Sequence, residues 1–151
     1  MKKSIFLSLC LTLILCLSAC GASLDIGDES DITVNRFPEY SLKIEEISLK
    51  ESSMMLSVSN RDIWEIGSGN ERDFFLEVSR GGKWHSIDAE EISNTSEIHT
   101  FFGDRNINVN WKNRYGNLPS GRYRVVKYFF FPSDDGSQGA EGFYLADEFE
   151  I

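Results

Sequence analysis

WKNRYGNLPSGRYRVVK, residues 111–127, is the stretch that decides the fold. Its middle, Leu-Pro-Ser-Gly at residues 118–121, predicts a β-turn, because Pro119 fixes φ at the second position and a glycine closes the turn. Tyr123 is the first aromatic residue after this corner. A tyrosine placed there can return its hydroxyl to the backbone upstream, an arrangement called a tyrosine corner. The stretch therefore predicts a sharp corner that leads directly into a strand.

The strand that begins at the corner is predicted to be long and central. Tyr123, Val125, Lys127, Phe129 and Phe131 share one face, and Arg124, Val126, Tyr128 and Phe130 share the other. Apolar side chains occupy both faces in its second half. A strand that is buried on both faces lies inside a sheet rather than at its edge.

Working outward, the residues upstream repeat with a period of two. Apolar and polar side chains alternate over residues 42–45, 56–59, 74–79 and 106–111, which is typical of strands with one buried and one wet face. Arg-Gly-Gly-Lys at residues 80–83 predicts a hairpin turn, and Gly-Ser-Gly-Asn at residues 67–70 predicts a flexible loop. Many short strands and few helices predict an all-β antiparallel sandwich or barrel.

Two motifs make this prediction more specific. Trp-x-x-x-Tyr-Gly-x-Leu-x-x-Gly-x-Tyr-Arg-x-x-Lys begins at Trp111, and Leu-x-x-Glu-Phe-Glu-Ile covers residues 145–151. Together they resemble a bacterial immunoglobulin-like domain family found in lipoproteins and secreted proteins of Gram-positive bacteria. The matching residues are Trp111, Tyr115, Gly116, Leu118, Gly121, Tyr123, Arg124, Lys127, Leu145, Glu148, Phe149, Glu150 and Ile151. The resemblance covers roughly residues 40–151, with a Gly-x-Lys-Trp hairpin at 81–84 and Asn60 at a strand end. It implies an immunoglobulin-like (Ig-like) sandwich without a common catalytic site.

Two places depart from a regular pattern. Residues 67–71 look like an insertion, so the strand register there is not set by the resemblance. In the last strand, Asp147 falls on the same face as Phe143, Leu145 and Phe149. A charged residue in such a row predicts a β-bulge or an edge-exposed position, because a bulge re-aims the side chains by one residue.

The first twenty residues predict export and lipid attachment. Lys2 and Lys3 precede an apolar run over residues 5–17, followed by Leu-Ser-Ala-Cys at 17–20. The run is shorter than the about 20 residues that a spanning helix needs. The tetrapeptide resembles the lipobox of bacterial lipoproteins, which implies cleavage before Cys20 and a diacylglyceryl group on its thiol. We therefore expect an extracytoplasmic protein anchored to the cell membrane, or to the outer membrane in a Gram-negative organism; the alternative is ordinary secretion with cleavage after Ala19.

These signals divide the chain into a lipoprotein signal peptide at 1–19, a flexible acidic tether at 20–31 and an Ig-like domain at 32–151. Cys10 and Cys16 lie in the signal, so the exported part has no cysteine pair for a disulfide. Without Lys2 and Lys3, the 15 basic residues fall to 13 against 24 acidic residues, a net charge of −11. This balance argues against binding to nucleic acid or to anionic lipid surfaces.

Residues of catalytic or metal-binding type do not form a recognised motif. His85 and His99 lack a metal-ligand spacing, and His85 is expected to face solvent. Asp134, Asp135 and Glu141 fall in one loop, where calcium is an open alternative to simple solvation. We therefore expect no enzyme activity, no cofactor and no metal, with Cys20 as the one modified residue.

Five phenylalanines bear on the function: Phe101, Phe102, Phe129, Phe130 and Phe131. We expect them mainly to fill the core; the alternative is an exposed aromatic patch near residues 132–142 that binds a partner. The first functional hypothesis is a non-catalytic, membrane-anchored lipoprotein that binds an extracellular protein or an envelope polymer. An inhibitor or immunity-type protein that caps a secreted enzyme is the second, and a hydrolase with an unrecognised site is the third.

Overall fold

The computed structural model describes residues 24–45, 49, 52–89 and 97–151. The predicted signal peptide and Cys20 therefore lie outside the described residues. The described part contains ten strands and one helical turn: β1 (Ile26–Glu29), β2 (Tyr40–Ile44), β3 (Ser53–Asn60), β4 (Ile66–Ser68), β5 (Phe75–Arg80), β6 (Lys83–Ile87), β7 (His99–Phe101), β8 (Arg105–Asn110), α1 (Lys112–Tyr115), β9 (Arg122–Pro132) and β10 (Gln138–Glu150). No helix among these residues is long and apolar enough to span a membrane.

The strands form two antiparallel sheets that enclose one core. The larger sheet has the order β1-β6-β5-β9-β4-β7, with β10 paired to β9, and the smaller has the order β2-β3-β8. The inward side chains are apolar on both sheets, as in Leu56 and Val58 on β3 and Val125 and Phe129 on β9. The prediction of an all-β antiparallel sandwich is confirmed.

The corner before β9 is built largely as expected. The Tyr123 hydroxyl donates a hydrogen bond of 2.6 Å to the Pro119 carbonyl, which confirms the tyrosine corner. The Gly121 amide, however, donates to the carbonyl of Ile151 at 3.0 Å, so it does not close a hydrogen-bonded turn on Leu118. The Tyr123 ring stacks on Phe149, whose other neighbour is Trp111.

Strand β9 is central, as predicted, since β5 and β10 both pair with it along the chain. Its outward face is also buried at Val126 and Phe130. On the same side of the sheet, the polar residues in the alternating segment 74–79 of the neighbouring strand β5 were predicted to face solvent. This prediction was wrong for Glu77, because its side chain is only 1% exposed. Glu77 lies opposite Arg124 in the ladder and forms an ion pair with it, and the Trp84 ring covers the guanidinium at 4.8 Å.

The prediction of a flexible tether at residues 20–31 is wrong for residues 26–29. Ile26–Glu29 forms strand β1, which pairs with β6 at Ile26–Ile87 and Glu29–His85. This pairing half-buries His85, which was expected to face solvent, and brings its Nδ1 3.4 Å from the Gly27 carbonyl. The four residues have no clear period of two, and the free edge of β6 supplies the hydrogen bonds that order them.

The predicted flexible loop at residues 67–70 is also partly strand. Ile66–Ser68 is β4, with Gly67 opposite Phe130 of β9 and Thr100 of β7. A side chain on Gly67 would collide with the Phe130 ring, so the glycine permits close packing rather than flexibility. The turn after β4 is held by Lys127, which is 0% exposed and donates to backbone carbonyls of Asn70 at 2.9 Å and Asp73 at 2.8 Å.

Asp147 does not lie in the predicted bulge. It pairs with Val125 in regular register, and the irregularity of β10 falls between Gln138 and Gly142 instead. The half-buried carboxylate accepts a 2.9 Å hydrogen bond from the Ile44 amide and forms an ion pair with Lys43. A charged residue fits the inward row there because it binds the edge of β2 in the opposite sheet.

Candidate functional site

A groove of about 750 Å³ opens at the end of the sandwich where β9 finishes. We call it the Trp64 groove. It is bounded by the residues before β2, the loop between β3 and β4, and residues 131–134. Its aromatic lining residues are Phe37, Tyr40, Trp64 and Phe131, and its acidic lining residues are Glu39, Asp62, Glu65 and Asp134.

The floor of the groove is the outer end of the aromatic core, where Phe37 and Phe131 are half-buried. Tyr40 stacks on Phe143 with ring centroids 4.9 Å apart, and Phe37 and Phe131 meet each other edge to face at 6.2 Å. Phe131 continues the inward row of β9 beyond Phe129 and is half-buried there, with its ring 6.0 Å from that of Tyr40 on β2 of the opposite sheet. The alternation that fills the core thus also leaves one half-buried ring at its rim.

Trp64 is the most conspicuous side chain of the groove. It is 64% exposed, and its neighbour Ile63 is 81% exposed, although large apolar side chains of this kind are usually buried. The loop that carries them is held by the buried Asn60, whose Nδ2 donates to the Trp64 carbonyl at 2.8 Å and whose Oδ1 accepts from the Asp62 amide at 3.0 Å. The exposed indole therefore stands on an ordered loop.

Asp62 joins this loop to the aromatic floor. Its Oδ1 accepts from the Ile63 amide at 2.7 Å, and its Oδ2 accepts from the Tyr40 hydroxyl at 3.1 Å. Burial and the hydrogen bond to the Asp62 carboxylate raise the pKa of Tyr40 to about 12. The tyrosine therefore keeps its proton, which is committed to Asp62, at any physiological pH.

The charge on the groove is of one sign. Four carboxylates line it, and none of the described lining residues is lysine or arginine. Arg36 lies next to the groove and places its guanidinium 5.0 Å from the centre of the Phe37 ring. One aromatic wall of the site is thus already in contact with a cation of the chain itself.

The five phenylalanines singled out in the sequence differ in how deeply they are buried. Phe129 and Phe130 are buried, Phe101 and Phe131 are half-buried, and Phe102 is 66% exposed. Core packing therefore explains most of the set, while Phe131 alone lines the groove. Sequence reasoning missed Trp64. Its signal was an Ile-Trp pair inside the polar segment Asn-Arg-Asp-Ile-Trp-Glu, directly after a strand.

Side chains of metal-ligand type stay apart in the described residues. No three His, Cys, Asp or Glu side chains there are close enough together to hold a metal ion. Glu141 belongs to β10, whereas Asp134 and Asp135 lie in the turn before it. The pKa of Asp135 is lowered by hydrogen bonds from Ser137, which satisfy this carboxylate within its own turn.

Three other depressions on the described part of the chain are smaller than the Trp64 groove. One of about 610 Å³ follows the amides of β8, including Asn108 and Asn110, and one of about 490 Å³ lies beside Asn35 and Asp147. The third, of about 440 Å³, combines His99 with both acidic and basic side chains. The Trp64 groove differs from all three in joining exposed aromatic surface to a single sign of charge.

Comparison with known proteins bears on the family alone. No curated protein matches the chain. The model of the bacterial Ig-like domain matches residues 37–150, which include β2 to β10 and all but the last residue of the two motifs. The chain belongs to the bacterial Ig-like domain family.

Proposed function

We propose that this chain is a membrane-anchored, extracytoplasmic binding protein without catalytic activity, which contacts its partner through the Trp64 groove. The observation that carries the proposal is Trp64, an exposed indole on an ordered loop above an aromatic floor. Exposed aromatic side chains of this kind are enriched where proteins bind partners. Membership of an Ig-like family supports the binding role, because such domains are generally binding or adhesion modules.

The anchor in this proposal is a lipid on Cys20. Since β1 begins at Ile26, only residues 21–25 lie between Cys20 and the sandwich. The six residue steps from position 20 to position 26 span at most about 20 Å when fully extended. The domain therefore works close to the membrane surface, and its partner must be reachable there.

Cell fractionation tests the anchor. Labelled palmitate is expected to appear on the wild-type protein, which should remain with the membranes. A Cys20→Ala variant should be unlabelled and should leave the membrane fraction. Equal labelling and equal membrane retention of the two proteins would contradict the anchor.

Site-specific photo-crosslinking on living cells tests the groove. A photoreactive residue at Ile63 borders the groove, whereas one at Ile151 lies at the opposite end of β10 and serves as the control. We expect a discrete crosslinked product from position 63 that disappears when Trp64→Ala is added, and no such product from position 151. Identical products from both positions, or a product that survives Trp64→Ala, would contradict a role for the groove.

The second candidate, an inhibitor that caps a secreted enzyme, is favoured by strand β7. Among the described strands, β7 has one neighbour, β4, so its outer edge is open to a further strand. Ile98 and Phe102 flank this edge and are 42% and 66% exposed. A photoreactive residue at Ile98, at the end of β7 away from Trp64, distinguishes the two candidates, because edge pairing predicts crosslinks there that Trp64→Ala does not affect.

A further inference from the structure

We infer that the occupant of the Trp64 groove is a cationic segment of a partner protein, with an arginine or lysine side chain inserted between Trp64 and the Tyr40–Phe131 floor. This inference rests on the proposed binding function and adds the chemistry of the partner. It follows from three properties of the groove: the balance of hydrogen-bond donors and acceptors, the aromatic surface, and the sign of the charge.

The side chains of the groove offer acceptors but few donors. The groove contains four carboxylates, and an ionised carboxylate accepts hydrogen bonds but has none to donate. They belong to Glu39, Asp62, Glu65 and Asp134. The Tyr40 hydroxyl already donates its one proton to Asp62. A guanidinium brings five donors and no acceptor, so it complements this lining, whereas a neutral sugar needs donors from the site as well.

The aromatic surface suits the rest of such a side chain. The aliphatic stem of arginine or lysine packs on apolar surface while its charged head remains near water and acceptors. The face of an indole attracts cations more strongly than the other aromatic rings do. The contact between Arg36 and Phe37 shows the same chemistry within the chain, at 5.0 Å from the ring centre.

The charge of the whole chain acts in the same direction. The formal net charge is −9, and four of the chain's carboxylates line the groove with no lining cation among the described residues. Complementary charge speeds the encounter with a basic partner and repels an acidic one. Binding is therefore expected to weaken as salt is added, since exposed charge pairs are screened.

Calorimetry on the full chain in a nonionic detergent tests the inference. The probe is the blocked peptide Gly-Arg-Gly-Arg-Gly, and its matched control carries citrulline, which keeps the shape but lacks the charge. We expect the arginine peptide to bind at least about tenfold more tightly than the citrulline peptide, because charge-assisted hydrogen bonds are about twice as strong as neutral ones. Trp64→Ala should weaken the binding by about tenfold as well.

Two triple variants separate the groove from the overall charge. Glu39→Gln, Glu65→Gln and Asp134→Asn together remove three of the four lining charges and spare Asp62, which is part of the loop structure. Asp28→Asn, Asp88→Asn and Glu150→Gln remove the same charge from exposed positions elsewhere. The first set should lose about tenfold in affinity, and the second should change it less than about twofold.

The inference is overturned if the arginine peptide does not bind, if citrulline binds equally well, or if both triple variants lose the same affinity. It is also overturned if chitotriose, a neutral envelope-type sugar, binds the wild type and loses affinity with Trp64→Ala. These outcomes leave the proposed function standing as long as the crosslinks from Ile63 still depend on Trp64. Loss of that dependence removes both proposals together.

Discussion

Lys127 provides a quantitative test of how the sandwich is held together. Its side chain is fully buried on the inward face of β9, and its ammonium group donates to the carbonyls of Asn70 and Asp73. Burial lowers the pKa of Lys127 from 10.5 to about 8; Asp73 and Glu71 oppose the change, and Arg105 reinforces it. The folded protein therefore releases this proton at a lower pH than the unfolded chain does.

The sign of the effect follows from proton linkage. Between about pH 8 and pH 10.5 the unfolded chain binds more protons than the folded protein, so the free energy of unfolding rises with pH. With these two pKa values the gain from about pH 7 to about pH 9.5 is about 2 kcal/mol. The measurement should stop there. Burial also raises the pKa of Tyr40, Tyr115 and Tyr123, so their contribution to stability is lost at higher pH.

Urea unfolding followed by circular dichroism measures this gain. The matched variant is Lys127→Met, which keeps an unbranched side chain in the cavity and removes the titrating group. We expect the difference in unfolding free energy between wild type and variant to shift by about 2 kcal/mol in favour of wild type over this pH range. Parallel pH profiles for the two proteins would refute the assignment of a buried, proton-releasing lysine to this site.

Three further predictions concern single contacts in the larger sheet and its edge. Glu77→Ala should lower the free energy of unfolding by about 3 to 5 kcal/mol, because it leaves Arg124 charged and unpaired in a buried position. The double variant Glu77→Leu, Arg124→Met should recover most of this loss in the same denaturation assay. Tyr123→Phe should cost about 1 kcal/mol by removing the hydroxyl that bonds to Pro119, and a cost near zero would contradict the corner. Asn35→Ala should lower the free energy of unfolding by about 2 kcal/mol, because Asn35 has a φ of 55° and its side-chain amide exchanges two 3.0 Å hydrogen bonds with the backbone of Ala146. Asn35→Gly should restore the part of this loss that is due to the positive φ. Equal losses in the two variants would argue against that division.

The fold was largely predictable because its signals are local. Alternation marks the faces of β3, β5 and β8, and the Gly81-Gly82 pair has the positive φ values that a tight hairpin requires. The corner at Tyr123 is likewise encoded within a few residues. Each of these features depends on neighbours in sequence, so a single chain is enough to recognise it.

The errors share a different cause, namely partners that are distant in sequence. Glu77 is buried because Arg124, 47 residues away, lies opposite it, and β1 is a strand because β6 has a free edge. Asp147 remains in register because it bonds to Ile44, 103 residues away. A period of two assigns side chains to faces, but it carries no information about which charges find partners across the sheets.

The candidate site was harder to predict than the fold. Trp64 lies in a loop without any period, and its exposure is set by the hydrogen bonds of Asn60. Phe131 is the last inward residue of its row on β9 and is only half-buried, although its ring still contacts Tyr40 of the opposite sheet. The groove arises only when these segments meet at one end of the sandwich, which no local pattern specifies.

The most direct test of the central claim follows the indole N–H resonances of the ¹⁵N-labelled full chain during titration with the arginine peptide. The three tryptophans differ in environment: Trp64 is exposed in the groove, Trp84 is covered by Arg124, and Trp111 is fully buried. We predict that, during titration with the arginine peptide, the Trp64 resonance alone moves and its shift saturates. With the citrulline peptide, the same resonance should not move. A Trp64 resonance that does not respond to the arginine peptide, or one that moves equally with citrulline, would contradict the claim that this groove recognises a cationic partner.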